Sequence, residues 1–296
     1  MARLICLLLL TVSCTAQAQN LRNIIPIEFA KMRPAKGQTA PARRAVYRRT
    51  SAQSIKWGKS AKPDELSQLG LTIWRLRPAK LADAGARMIV QKDAESVEYI
   101  PERMPANAPL RIGENIRFSF ESPQTGYLYV IDRELYADGT MSKPMLIFPT
   151  TRTRGGDNKV EAGKLIEIPA QEDRPNFYTL QATRLSTVAQ TGEALTVIVA
   201  PQPLEGVTVG ANAFALTNEQ VQQWEQQWSA QSETLDLTGG AGQTWTKAEQ
   251  EAGASGMRYL TQADPEPQTI YRVAAKPGTP LLVKVGLRYR KGARKK

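Results

Sequence analysis

Alternation of apolar and polar residues, not a helical repeat, dominates the middle of the chain. Ile116, Phe118 and Phe120 alternate with Arg117, Ser119 and Glu121. A period of two predicts a strand with one dry face and one wet face. Pro123 to Gly126 has turn composition. Tyr127 to Ile131 is then apolar or aromatic at every position, as in a strand covered on both faces. Asp138-Gly139 predicts a further turn, because Gly accepts a positive φ. Met145 to Phe148 predicts a short strand stopped by Pro149. These three strands read as a meander at the centre of one sheet.

The flanks carry more strands. Leu71–Leu76, Arg87–Gln91 and Val97–Ile100 precede the meander, with Pro101, Pro105 and Pro109 breaking the chain. Lys164–Ile168, Phe177–Leu180, the fully apolar Leu195–Val199, Thr269–Ala274 and the alternating Leu281–Tyr289 follow it. Many short strands with turn signals between them predict a mainly β chain, a β-sandwich of short antiparallel strands.

Helical spacing enters in three places. Pro63-Asp64-Glu65-Leu66 can open a short helix, with acids suited to its first turn. Thr217 with Gln220 offers a capping box, and Val221, Trp224 and Trp228 follow on one helical face. Thr246 with Glu249 repeats the box. The expected fold is thus a sandwich over 63–211 and a small helical insertion with closing strands over 212–287.

The ends differ in composition. Residues 1–18 read as a signal peptide: Arg3, the apolar run Leu4–Val12, and Ala16-Gln17-Ala18 before a cut at Gln19. The apolar run is far shorter than the ~20 residues a membrane span needs. Lipid attachment at Cys14 is the rival processing, and no span is expected once the leader is gone. Cys6 and Cys14 both lie in the leader, so the mature chain carries no thiol. The net charge of +11 is concentrated at the ends. A basic arm, 19–62, has ten Lys or Arg between residues 31 and 62 and no acid there, and 288–296 is a basic tail. The body, 63–287, holds 21 basic and 27 acidic residues and is mildly acidic. Its partner is expected to be an envelope protein or polymer in a periplasmic or secreted setting, and not nucleic acid.

GYLYVIDRELYADGT, LIFPT, NKVEAGKLIEIP and LTVIVAPQPL together resemble the bacterial domain-of-unknown-function family 4384 over roughly residues 110–205. The resemblance implies a sandwich-like module of extracytoplasmic proteins. It brings neither a ligand nor catalytic residues.

Missing residue types narrow the chemistry. The chain has no His, so Ser-His-Asp and Cys-His arrangements and imidazole or thiolate metal sites are excluded. No cofactor or metal is expected. Two candidate groups remain. Arg152 and Arg154 beside Asp157 and Asn158, in TTRTRGGDN, can form an anion-binding loop or a bare surface loop. Asp132, Glu134 and Asp138 form a weak acidic cluster, read as a cation site or a solvated hairpin. TGGAGQT at 238–244 lacks the Lys of a nucleotide loop and reads as a connector. Trp224, Trp228 and Trp245 are read as core, with a sugar-stacking surface as the alternative. The leading expectation is an exported, non-enzymatic binding or scaffolding module. A carboxylate-only enzyme on glycans and a peripheral binder using its basic arms stand as alternatives.

Overall fold

The computed structural model describes residues 28–35, 45–50, 66–80, 83, 87–92, 95–181, 187–254, 258–276 and 278–290. The leader, both cysteines, Pro63 to Glu65 and the last six residues lie outside them. Two antiparallel sheets face each other. The nine-stranded sheet contains β1 (Tyr47–Arg49), β2 (Ser67–Pro78), β3 (Met88–Lys92), β4 (Glu95–Met104) and β5 (Asn115–Glu121). It also takes β9 (Leu165–Ile168), β10 (Tyr178–Thr179), β13 (Ser232–Leu237) and β14 (Thr269–Val273). The six-stranded sheet contains β6 (Gly126–Tyr136), β7 (Met145–Phe148), β8 (Lys159–Val160), β11 (Gln190–Ala200), β12 (Phe214–Ala215) and β15 (Leu281–Arg288).

Strand β2 organises the larger sheet. Its first half pairs with β14 and its second half with β4, while β5 runs along its other side. Strand β5 then takes β9 and β10. In the smaller sheet β6 lies between β11 and the short strands β7 and β8. The expected single meander is therefore corrected. Strand β5 does not pair with β6, because the turn before Gly126 carries the chain from one layer to the other. The periodicity is right, but the two apolar faces meet across the core, not side by side. Strand β4 also runs through Pro101, which sits in register with Leu76.

The core lies between the sheets. Leu69, Leu71, Ile73, Phe118 and Phe120 face Leu128, Val130, Val197, Val199 and Val283. Each large side chain so buried contributes roughly 1.5–3 kcal/mol. Alternate residues of β6, Tyr129 and Ile131, point to the outer face of the smaller sheet, under α2 (Asn218–Trp228). The unbroken apolar run of β6 is thus covered on both sides. Helix α2 starts where expected, with the Thr217 hydroxyl accepting from the Gln220 amide, and buries Val221 and Trp224. Gly126 opens β6 because nothing larger fits: a Cβ there would lie 2.6 Å from the Ala200 carbonyl oxygen.

The outer face of the larger sheet departs most from expectation. The wet face predicted for β5 is dry, with Arg117 1%, Ser119 2% and Glu121 2% exposed. It lies beneath α1 (Glu28–Lys31), α3 (Lys247–Gly253) and the segment 258–268. The charges are kept by pairing. Arg117 reaches Glu167 at 2.7 Å, Arg33 reaches Glu121 at 2.6 Å, and Arg103 pairs with Glu249. The Trp74 indole donates to the Ser119 hydroxyl at 2.6 Å. Two pieces of the stretch 19–62, read from composition as an arm, are built into this layer. Phe29 and Arg33 are buried, and β1 pairs with β13. Strand β13, which separates α2 from α3, occupies a stretch where no strand is expected. Among the described residues no helix is long and apolar enough to cross a membrane.

Candidate functional site

The loop after β7 is shaped by its glycines. Arg154, Gly155 and Gly156 adopt φ of 54°, 63° and 89°. Gly enters this left-handed region freely, whereas Arg does so rarely. The turn is closed by the Gly156 amide on the Thr153 carbonyl and the Asp157 amide on the Arg154 carbonyl, both at 3.1 Å. The Thr151 amide donates to the Gly210 carbonyl at 2.8 Å, which draws residues 210–213 alongside. A third loop, 169–176, is tied to the first through Asp173. Its Oδ2 accepts from the Thr153 hydroxyl at 2.7 Å and the Ala170 amide at 2.8 Å.

These three loops enclose a cleft of about 690 Å³ at one margin of the sandwich. Ile147 of β7 and Tyr178 of β10 both line it, so it straddles the two sheets. Phe177, Pro169 and Pro175 supply further apolar wall. Arg152, Arg154 and Arg174 line it too, as do the acids Glu172 and Asp173. The volume falls in the ordinary range for small-molecule sites.

The predicted anion loop divides. Arg152 and Arg154 line the cleft, while Asp157 and Asn158 do not. Asp157 accepts from Lys164 Nζ at 2.9 Å and the Lys159 amide at 3.1 Å. Partial burial works against its charge, but these donors outweigh it and hold the carboxyl below the usual range. Asn158 is tied to β6: its side-chain Nδ2 donates to the Leu128 carbonyl at 2.9 Å, and its backbone carbonyl accepts from the Leu128 amide at 2.8 Å. Arg174, Phe177 and Tyr178 join the site with no signal in the sequence beyond an Arg-Pro turn.

The acidic cluster also divides. Asp138 caps its own turn, accepting from the Thr140 amide and hydroxyl. Asp132 and Glu134 lie on the inner face of β6, and Glu193 stands opposite Glu134 across the ladder. Tyr136 donates to Glu134 and Tyr289 to Glu193. One Asp132 oxygen is buried without a partner. Burial first, then the Glu193 and Glu134 carboxylates, push Asp132 from its ordinary 3.8 up to about 8. Burial likewise raises Glu193, against the Tyr289 hydroxyl. Among the described residues no group of three such side chains is placed to hold a metal ion.

A pH-dependent stability follows. The folded chain keeps the Asp132 proton between about pH 4 and 8, where the unfolded chain has lost it. The contribution of this carboxyl is full below the unfolded value. It falls as pH rises toward 8, by at most about 1.4 kcal/mol per pH unit. Asp132→Asn is expected to flatten that slope in urea denaturation, raising the midpoint near pH 8 and changing it little near pH 4. An unaltered slope would show that the carboxyl is charged in the fold.

The tryptophans do not form one surface. Trp224 stacks on Trp228 at 5.9 Å beside the smaller sheet, whereas Trp245 packs against Trp74 at 6.3 Å on the larger one.

The segment that supplies β5, β6 and two of the three cleft loops is also the one that matches a known family. Residues 109–202 match the family described as a domain of unknown function (DUF4384). The matched segment holds β5 to β11, so it contributes to both sheets, while β1 to β4, β13 and β14 complete the larger one and β12 and β15 the smaller one from outside. Its Phe148-Pro149 and Ile168-Pro169 steps are cis peptides that begin the first and third cleft walls. No curated protein and no solved structure matches the chain.

Proposed function

We propose that this chain is an exported binding module that holds a component of the cell envelope in the cleft at the margin of its sandwich, without transforming it. The carrying observation is the cleft itself: about 690 Å³, apolar at Ile147 and Tyr178, with three arginines among its lining residues. A pre-formed, mostly apolar concavity with a few polar groups is the common form of a small-molecule site. The leader-like residues 1–18 support export. The acids favour binding over carboxylate catalysis. Glu172 and Asp173 are chain neighbours, Asp173 is taken up by Thr153 and Ala170, and the proton-holding Asp132 is not part of the wall.

The test is a fragment screen by amide-resolved NMR, using neutral, cationic and anionic small molecules. Perturbations are expected to gather at Ile147, Thr150 to Gly155 and Phe177 to Tyr178, and to vanish in Ala213→Trp, which fills the cleft. Perturbations scattered over the surface, or unchanged in Ala213→Trp, would remove the cleft from consideration. Intact protein from the extracytoplasmic fraction is expected to begin at Gln19, as mass spectrometry can establish; a chain retained with its first eighteen residues in the cytoplasm would overturn export.

A further inference from the structure

We infer that the cleft recognises its ligand through an oxyanion, a carboxylate or a phosphate, with Arg154 as the buried anchor and Arg152 and Arg174 at the mouth. This rests on the cleft being the binding site. The Arg154 side chain is only 8% exposed. Its Nε and Nη1 are buried without a hydrogen-bond partner, the only guanidinium among the described residues to leave two nitrogens so. The acid nearest in sequence, Asp157, lies 4.0 Å from Nη2 and is already engaged by Lys164 at 2.9 Å. Buried donors without partners are costly, and more so when charged. Arg154 also holds a φ of 54°, a conformation that non-glycine residues keep where the surroundings impose it, often at functional sites.

The other arginines with a partnerless nitrogen leave only Nε so. Of these, Arg117 has Glu167, and Arg49 and Arg272 share Glu233 at 2.9 and 3.0 Å. At the mouth of the cleft Arg174 donates only to the Gln171 and Asp173 carbonyls, and Arg152 is exposed with no carboxylate on it among the described residues. The planar guanidinium fork fits carboxylate and phosphate oxygens in pairs. Phe177 and Tyr178 beside it call for an apolar or planar body on the anion, not a bare ion.

The experiment titrates the full mature chain with phenyl phosphate, benzoate and the neutral isostere benzamide. Both the wild type and Arg154→Gln are used, with circular dichroism as the fold check. At least one anion is expected to bind about tenfold or more tighter than benzamide, to weaken as salt rises, and to lose about tenfold or more in Arg154→Gln. The stronger of the two anions identifies phosphate or carboxylate as the group recognised. Benzamide binding as well as both anions, or Arg154→Gln retaining full affinity, overturns the oxyanion inference and leaves the cleft reading intact. Failure of all three probes together with a fragment screen empty at the cleft removes both. Should Arg154→Gln not fold, the wild-type comparison of anions with benzamide across salt decides alone.

Discussion

Glu167→Ala is expected to lower stability by about 3–5 kcal/mol, the usual result of leaving one member of a buried ion pair behind. Arg117 and Glu167 are each 1% exposed and 2.7 Å apart. Helix α3 lies directly over them, and a Cβ on Gly253 would come within 2.2 Å of the Glu167 carboxyl carbon. Burial raises the Glu167 carboxyl, with Arg117 pulling the other way. Without Glu167, the guanidinium keeps the Pro169 carbonyl at 2.9 Å and the Trp245 ring at 5.8 Å, but no carboxylate. The double change Arg117→Met with Glu167→Leu is expected to recover much of the loss, because both desolvation penalties disappear together. Urea denaturation of the wild type and the two variants measures this. A single-variant loss below about 1 kcal/mol would mean the pair behaves as a surface one. The same site supports the cleft, since Gln171 donates to Glu167 at 2.8 Å and Arg117 to Pro169, holding the third loop from behind. Binding in the cleft is therefore expected to weaken along with stability.

Tyr129→Asp is the second large effect. Tyr129 is 4% exposed, packed between β6 and α2. Its hydroxyl accepts from the Leu204 amide at 2.9 Å. The aspartate removes the ring and places a carboxylate among Ile131, Ile198 and Trp224, where no cation lies in the cluster. Loss of a buried aromatic costs about 3–5 kcal/mol, and burying the charge adds to it. Against a total of roughly 5–15 kcal/mol, this is expected to leave little folded protein. Tyr129→Phe is the control: it keeps the ring and costs only about 1 kcal/mol for the amide left unpaired. Thermal melting that finds the aspartate variant within a few degrees of wild type would refute the reading of β6 as covered on both faces.

Much of the local structure was legible. Alternation from Val283 to Arg288 matches the strand's buried and exposed positions, while Leu282, on the other face, is buried with α2. The Thr246 box is present in full, with Glu249 returning to the Thr246 amide. The continuous runs at Tyr127 and Leu195 are strands covered on both faces, as such runs require. The candidate site was half legible. Arg152 and Arg154 stand in the wall, but Asp157 and Asn158 serve the loop itself, and Arg174 arrives from another wall. Polar residues of β5 misled for a definite reason. Alternation reports that two faces differ, not that one of them meets water.

What the residues alone determined is whatever depends on near neighbours: strand and helix periods, caps, turns, and a side-chain repertoire without imidazole. Only the tertiary structure decided which strands share a sheet, that β5 and β6 face each other across a core, and that three arginines line one cleft. The charged partners lie far apart in the chain, Arg117 and Glu167 by 50 residues, Arg33 and Glu121 by 88, Arg103 and Glu249 by 146. Periodicity is a local property, whereas such pairings are selected by the free energy of burying charges that find each other only once the sheets have formed.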